Sequence, residues 1–127
     1  MIRIRRKRPS VPAKTPAELD AMQAAGQIVG RALVAVRDAA VPGATTQDLN
    51  DVAHEVITSA GAVPSVLGYE GFPASVCASV NEVIVHGIPS RERVLSEGDL
   101  VSIDCGAILD GWHGDSAFSM VLDPADP

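Results

Sequence analysis

Apolar residues recur at helical spacing in the first half of the chain and at strand-like spacing in the second. In "TPAELDAMQAAGQIVGRALVAVRDAAVPG", Met22, Ala25, Val29, Leu33, Val36 and Ala40 fall at three- and four-residue steps along one face. Thr15 stands in the N-cap position, Pro16 at the first helical position and Glu18 three residues beyond the cap, which is a capping box. Val41-Pro42-Gly43 stops the pattern, so a helix over 16–40 is predicted. "TTQDLNDVAHEVITSAGA" repeats the arrangement, with Thr45 as cap, Asp48 three residues on, and Leu49, Val52, Val56, Ile57 and Ala60 facing inward before Gly61. His54 lies on this second helix beside Asp51 and Glu55 and is read as a surface histidine without a role.

After Gly61 the pattern changes to short β-type runs broken by Gly and Pro, at 62–67, 75–80, 83–86, 100–109 and 112–122. Helices followed by strands, with no βαβ alternation, predict an α+β domain in which two helices cover one face of a mostly antiparallel sheet.

Composition sharpens this picture in three ways. A chain of 127 residues suits one core, and 3% aromatic content makes that core aliphatic. The net charge of −6 hides an asymmetry, because Arg3, Arg5, Arg6, Lys7 and Arg8 are half of the 10 basic residues, leaving five against all 16 acidic ones. An acidic body repels phosphate backbones, which argues against DNA as a ligand, while a basic, disordered arm over 1–14 could touch ribosomal RNA. No run approaches the roughly 18 apolar residues of a membrane span, and Pro9, Pro12 and Pro16 interrupt any signal-peptide core. Cys77 and Cys105 are read as free thiols, and the expected location is the cytoplasm.

Candidate chemistry concentrates in "LVSIDCGAILDGWHGDSAFSMVL". Asp110-Gly111 is a strong hairpin signal, because a type I′ turn needs positive φ at both central residues. With those two as the loop, Leu109 faces Trp112, Gly106 faces Asp115 and Asp104 faces Ala117. The two-residue period then turns Asp104 and Asp115 to one face as a diagonal pair, with Gly106 and Ala117 leaving room for an ion. A solvated face neutralised by basic neighbours is the competing account, yet no Lys or Arg occurs from position 94 onward, and only Arg91 and Arg93 could fold back. Carboxylate oxygens suit Mg, Mn, Fe, Co or Zn, and parity leaves His113 open as a further ligand. Cys105 falls on the opposite face and reads as a small core hydrophobe. His86, in "NEVIVHGIPS", follows an apolar run and precedes Gly87, where a bend presents the ring at a strand end; histidine is the side chain suited to proton transfer near neutral pH.

Two segments, "GYEGFPASVCASVNEVIVHGIP" and "EGDLVSIDCGAILDGWHGDSAF", resemble the N-terminal half of a type I methionine aminopeptidase, and the likeness runs over about 15–120. The resemblance implies a pita-bread half-fold and removal of the initiator methionine from nascent proteins by two divalent ions (Co, Mn, Fe or Zn). It makes Asp104 and Asp115 metal ligands, and His86 the residue that contacts the scissile peptide. Tyr69, Phe72 and Cys77, with Val66 nearby, match positions lining the methionine pocket. Asp110 and His113 match positions that are not ligands. Glu70 is a departure, since many relatives have His there. The family's other ligands, one histidine and two glutamates, belong to a second half, so 15–122 is expected to be half of a catalytic domain and 123–127 a connection out of it. On this basis the chain alone is expected to have little activity and to need a complementary half or a homo-oligomeric partner. Two alternatives share the fold: a non-catalytic module that binds ribosome or nascent chain, and another exopeptidase such as a proline-specific one.

Overall fold

The computed structural model describes residues 10–123. The basic cluster Arg3 to Arg8, and all but the first residue of the connecting segment 123–127, lie outside them.

Both helices begin where the capping boxes place them. Helix α1 spans Pro16–Ala39, with the Thr15 side chain accepting from the Glu18 N–H at 3.2 Å and Glu18 accepting from the Thr15 N–H at 3.0 Å. Helix α2 spans Thr46–Ser59 with the same exchange between Thr45 and Asp48. Hydrogen bonds from the backbone N–H and then the side chain of Thr45 to the Asp48 carboxyl hold it below its ordinary range. The buried face of α1 is Ala25, Ile28, Val29, Ala32 and Val36. Met22, expected inward, is 37% exposed. On α2 the inward residues are Thr46, Leu49, Asn50, Ala53 and Ile57, with Val52 and Val56 half-buried on the flank.

Strands β1 (Val63–Pro64), β2 (Val76–Val80), β3 (Leu100–Leu109) and β4 (Trp112–Val121) form one antiparallel sheet. β3 is central: β4 lines one side over its whole length, while β2 and then β1 share the other. Val101, Ile103, Cys105 and Ala107 are buried toward the helices, where they join Val36, Leu49, Ile57 and Leu95 in one aliphatic core. α1 packs against α2, β3 and β4, and α2 packs against β1 and β2, so the helices cover one face of the sheet and leave the other open.

Two strand expectations are corrected. The run 62–67 pairs only over Val63–Pro64, because the chain then bends so that Ser65 lies over Gly106. Residues 83–86 are not a strand at all. Asn81 turns the chain at φ 53°, donating its N–H to the Leu100 carbonyl and its side-chain amide to Asp99, and accepting from the Leu100 N–H. Val83, Ile84 and Val85 then form an exposed loop that returns alongside β2, where the Ala78 N–H donates to the Gly87 carbonyl at 2.9 Å. Among the described residues no helix is long and apolar enough to cross a membrane.

The hairpin is held against α1 by a close backbone contact at Gly114. A Cβ there would lie 2.7–2.8 Å from the backbone of Ala25 and Gly26, inside the distance real Cβ atoms keep. Gly30, on the same helix, has nothing within 4 Å of its Cβ position. Gly114→Ala is therefore expected to destabilise the chain by about 1–3 kcal/mol, as overpacking does. Gly30→Ala is expected to be neutral or to stabilise it by up to about 1 kcal/mol through helix propensity. Urea unfolding followed by circular dichroism distinguishes the two.

Candidate metal centre and its cleft

The β3–β4 ladder has the register that the Asp-Gly turn requires: Leu109 opposite Trp112, Gly106 opposite Asp115, Asp104 opposite Ala117. Asp110 and Gly111 have φ of 50° and 82° at its tip. Asp104 and Asp115 thus share the sheet face that turns away from the helices. Their carboxyls come close enough to share a hydrogen bond, and the Asp104 carboxyl is held above its ordinary value. Partial burial is the first cause, the hydrogen bond to Asp115 and the repulsion of its charge follow, and His86 pulls weakly the other way. Among the described residues no arginine intervenes. Arg91 pairs with Asp51 at 3.7 Å on the exposed side of α2, and Arg93 acts on Asp99.

Gly106 does not leave room for an ion, as expected from its size; the hydroxyl of Ser65 fills that space, lying where a Gly106 Cβ would go. The open volume is instead a cleft of about 510 Å³ lined by Val66, Tyr69, Glu70, Phe72, Pro73, Cys77, His86, Ile88, Asp104 and Asp115. Every residue singled out for the pocket or the chemistry is on that wall. His113 is not, although it points to the Asp115 face nearer the turn. A second hollow of about 360 Å³ adjoins it through Cys77, His86 and Asp104 and continues to Ser102 and Ser119, whose hydroxyls hydrogen-bond at 2.7 Å.

His86 is placed by the residue after it. Gly87 lies against β2 so tightly that a Cβ would meet the Ala78 carbonyl oxygen at 2.1 Å, and its N–H donates to Ser79 Oγ at 3.0 Å. The chain reaches this contact through His86 at φ 58°, a left-handed conformation that costs a non-glycine residue free energy and is kept only where surroundings enforce it. The opposite wall is a tight turn at Tyr69–Gly71, closed by bonds from Gly68 N–H to the Phe72 carbonyl at 2.8 Å and from Phe72 N–H to the Tyr69 carbonyl at 2.9 Å. The third wall, at the start of β2, is anchored from behind by α2. Buried Asn50 accepts from the N–H groups of Ser75 at 2.7 Å and Val76 at 3.2 Å, and His54 Nδ1 hydrogen-bonds the Ser75 hydroxyl at 2.8 Å. His54 therefore has a structural partner that helical periodicity could not reveal. Asn81, Ser65 and Asn50 escape sequence reading for the same reason: their partners lie 18 to 41 positions away.

Both thiols are kept neutral. Burial, then the charges of Asp104 and Asp115, raise Cys77 and push Cys105 up to about 12. Neither is a thiolate nucleophile; Cys105 is core, and Cys77 is a soft wall of the cleft.

Two neighbouring carboxyls, of which Asp104 holds its proton more tightly, with no Lys or Arg beside them among the described residues, are a donor set suited to a hard or borderline divalent ion. The fold and this acidic cleft define a metallopeptidase scaffold. The chain belongs to metallopeptidase family M24, whose pattern matches residues 20–127. Within it, the chain is 58% identical over 114 residues to methionine aminopeptidase 1 of Mycobacterium tuberculosis, covering 90% of this chain and 43% of that protein. It is 53% identical over 109 residues to methionine aminopeptidase of Clostridium acetobutylicum, covering 86% and 44%. The crystal structure of methionine aminopeptidase from Thermotoga maritima superposes with a TM-score of 0.87 at 39% identity, covering 92% of this chain and 47% of that one. The architecture is thus the pita-bread half-fold. The chain spans less than half the length of these relatives.

Because the Asp104 carboxyl is raised in the fold, the folded chain binds more protons than the unfolded one as pH rises above 3.8, the ordinary value. Stability must therefore fall as pH rises through that window. Asp104→Asn removes the penalty. With chelator present, its melting temperature is expected to exceed that of the wild type at pH 7, the gap closing toward pH 4; a variant less stable at pH 7 contradicts the assignment.

Proposed function

We propose that this chain supplies the methionine pocket, the peptide-contacting histidine and two of the metal ligands of an enzyme that removes N-terminal methionine from nascent proteins in the cytoplasm. The convergence of Asp104 and Asp115 on a cleft that also holds His86 and an apolar wall carries the reading. The names of its relatives support the substrate.

The apolar wall of Val66, Phe72 and Tyr69 takes an unbranched side chain, and the Cys77 sulfur offers a polarisable surface to a thioether. Asp104 and Asp115 would hold the divalent ions, Co, Mn, Fe or Zn, which contribute Lewis acidity and an acidified water when bound. His86, at the end of the exposed loop and beside the carboxylates, is within the cleft to donate to the carbonyl oxygen of the bond being cut, a role that needs its ring on the substrate side. The exit of water from the pocket on binding methionine strengthens that hydrogen bond.

Two carboxylates do not saturate a divalent ion, and among the described residues no three His, Cys, Asp or Glu side chains come together to hold one. We infer that the remaining ligands come from a complementary half that covers the open sheet face, either in the same polypeptide or as a partner. A ribosome contact through the basic residues Arg3 to Arg8 belongs to the same proposal.

The isolated chain is expected to bind Mn²⁺ weakly in calorimetry, with binding lost in Asp104→Asn and Asp115→Asn. It is expected to release methionine from Met-Ala-Ser slowly or not at all under excess Co²⁺. In a polypeptide that carries both halves, His86→Ala is expected to lower kcat by about 10²–10³, the worth of one oxyanion donor. Metal uptake indifferent to both aspartates defeats the peptidase reading. Rapid turnover by the isolated chain that His86→Ala abolishes refutes the need for a second half.

A further inference from the structure

An exopeptidase cleft takes one end of its substrate, and the rest of the peptide must leave through the mouth. Asp104, Asp115 and Cys77 stand at the strands that floor the cleft, whereas Tyr69 and Ile88, 69% and 60% exposed, form its rim. Glu70 lines the same cleft, sits beside Tyr69 on that rim and is exposed. Its backbone, at φ 49°, is pinned in the hydrogen-bonded turn between Gly68 and Phe72, so the carboxylate is presented from a fixed point.

This carboxylate has no work inside the protein. Among the described residues it makes no ion pair and accepts no side-chain hydrogen bond, and it does not join Asp104 and Asp115 in a group of three that could hold a metal. The cleft wall contains no Lys or Arg to neutralise it. The adjoining hollow is lined by serines and aliphatic side chains and adds no further charge beyond His86 and Asp104. Among the described residues Glu70 is therefore a carboxylate without a partner at the opening through which the substrate trails.

We infer that Glu70 is a specificity-determining residue, favouring peptides that carry a lysine or arginine just beyond the residues held in the cleft and disfavouring those with an acidic residue there. The inference rests on the aminopeptidase reading. A methionine bound by its own side chain and amine leaves the third residue near the rim, where attraction to a cation and repulsion of an anion act in the same direction on the affinity ratio. An exposed pair is worth a modest factor and is weakened by salt.

The test uses the 127-residue chain with Co²⁺ and three tripeptides: Met-Ala-Lys, Met-Ala-Glu and Met-Ala-Ser. Dissociation constants come from amide shifts of Tyr69 to Gly71 in an NMR titration at low ionic strength. Wild type is expected to prefer Met-Ala-Lys over Met-Ala-Glu by about fivefold, in keeping with exposed ion-pair strengths. The preference is expected to shrink in 0.5 M salt by about half or more, to approach one in Glu70→Gln and to invert in Glu70→Lys. If Met-Ala-Ser binds but the lysine-to-glutamate ratio is the same in wild type and Glu70→Gln, the inference is overturned and the aminopeptidase reading stands. If none of the three binds wild type, the inference is overturned, whereas the aminopeptidase reading falls only if metal uptake is also indifferent to Asp104 and Asp115.

Discussion

The antiparallel register of one hairpin governs the chemistry of this chain. Asp104 and Asp115 lie on different strands, eleven positions apart in sequence, and meet only because the Asp110-Gly111 turn sets Gly106 opposite Asp115. A slip of one residue would send one carboxylate into the aliphatic layer beneath the helices, where an unpaired charge costs several kcal/mol. Burial of Val101, Ile103, Cys105 and Ala107 on the other face opposes that slip, so the core and the site enforce the same register from opposite sides of one strand.

Around this ribbon the cleft is shaped by places where backbones touch without side chains between them. Gly87 against Ala78 brings the loop back beside β2 and turns His86 toward the carboxylates, at the expense of a left-handed backbone. Gly114 against Ala25 and Gly26 fixes the hairpin on α1. Asn50 ties two N–H groups at the head of β2 to α2, so that Cys77 stands at a set depth in the wall. Each contact joins an element of the core to one wall of the site.

Much of this was legible from local rules. Capping boxes at Thr15 and Thr45, the Asp-Gly turn and strand parity depend on neighbours within four residues or on a two-residue period, and the structure has them all. The misreadings share an opposite character. Val83-Ile84-Val85 has the composition of a strand, yet Asn81 and Gly87, bound to Leu100 and Ala78, leave it no partner to pair with. Gly106 looked like space because the sequence does not say that Ser65 occupies it. Of the site, the carboxylate pair could be derived from parity alone, whereas the pocket wall of Val66, Tyr69, Phe72 and Cys77 was legible only through likeness to a family.

The raised proton affinity of Asp104 bears on why the sheet face stays open. A folded chain with nothing between these carboxyls carries a repulsion that Ser or Ala at either position would relieve, so selection for stability alone would not keep both acids. A cation held there, as proposed, would relieve the same repulsion, but two oxygen donors would satisfy only part of its coordination, and the rest would have to approach from the side that the helices do not cover. That side is the face bearing Ser102, Ala117, Ser119 and the adjoining hollow, small residues that allow close approach of another layer. Repulsion at the pair and smallness around it are thus two expressions of one arrangement, which fits the proposal that a cation and a second set of ligands complete the site together.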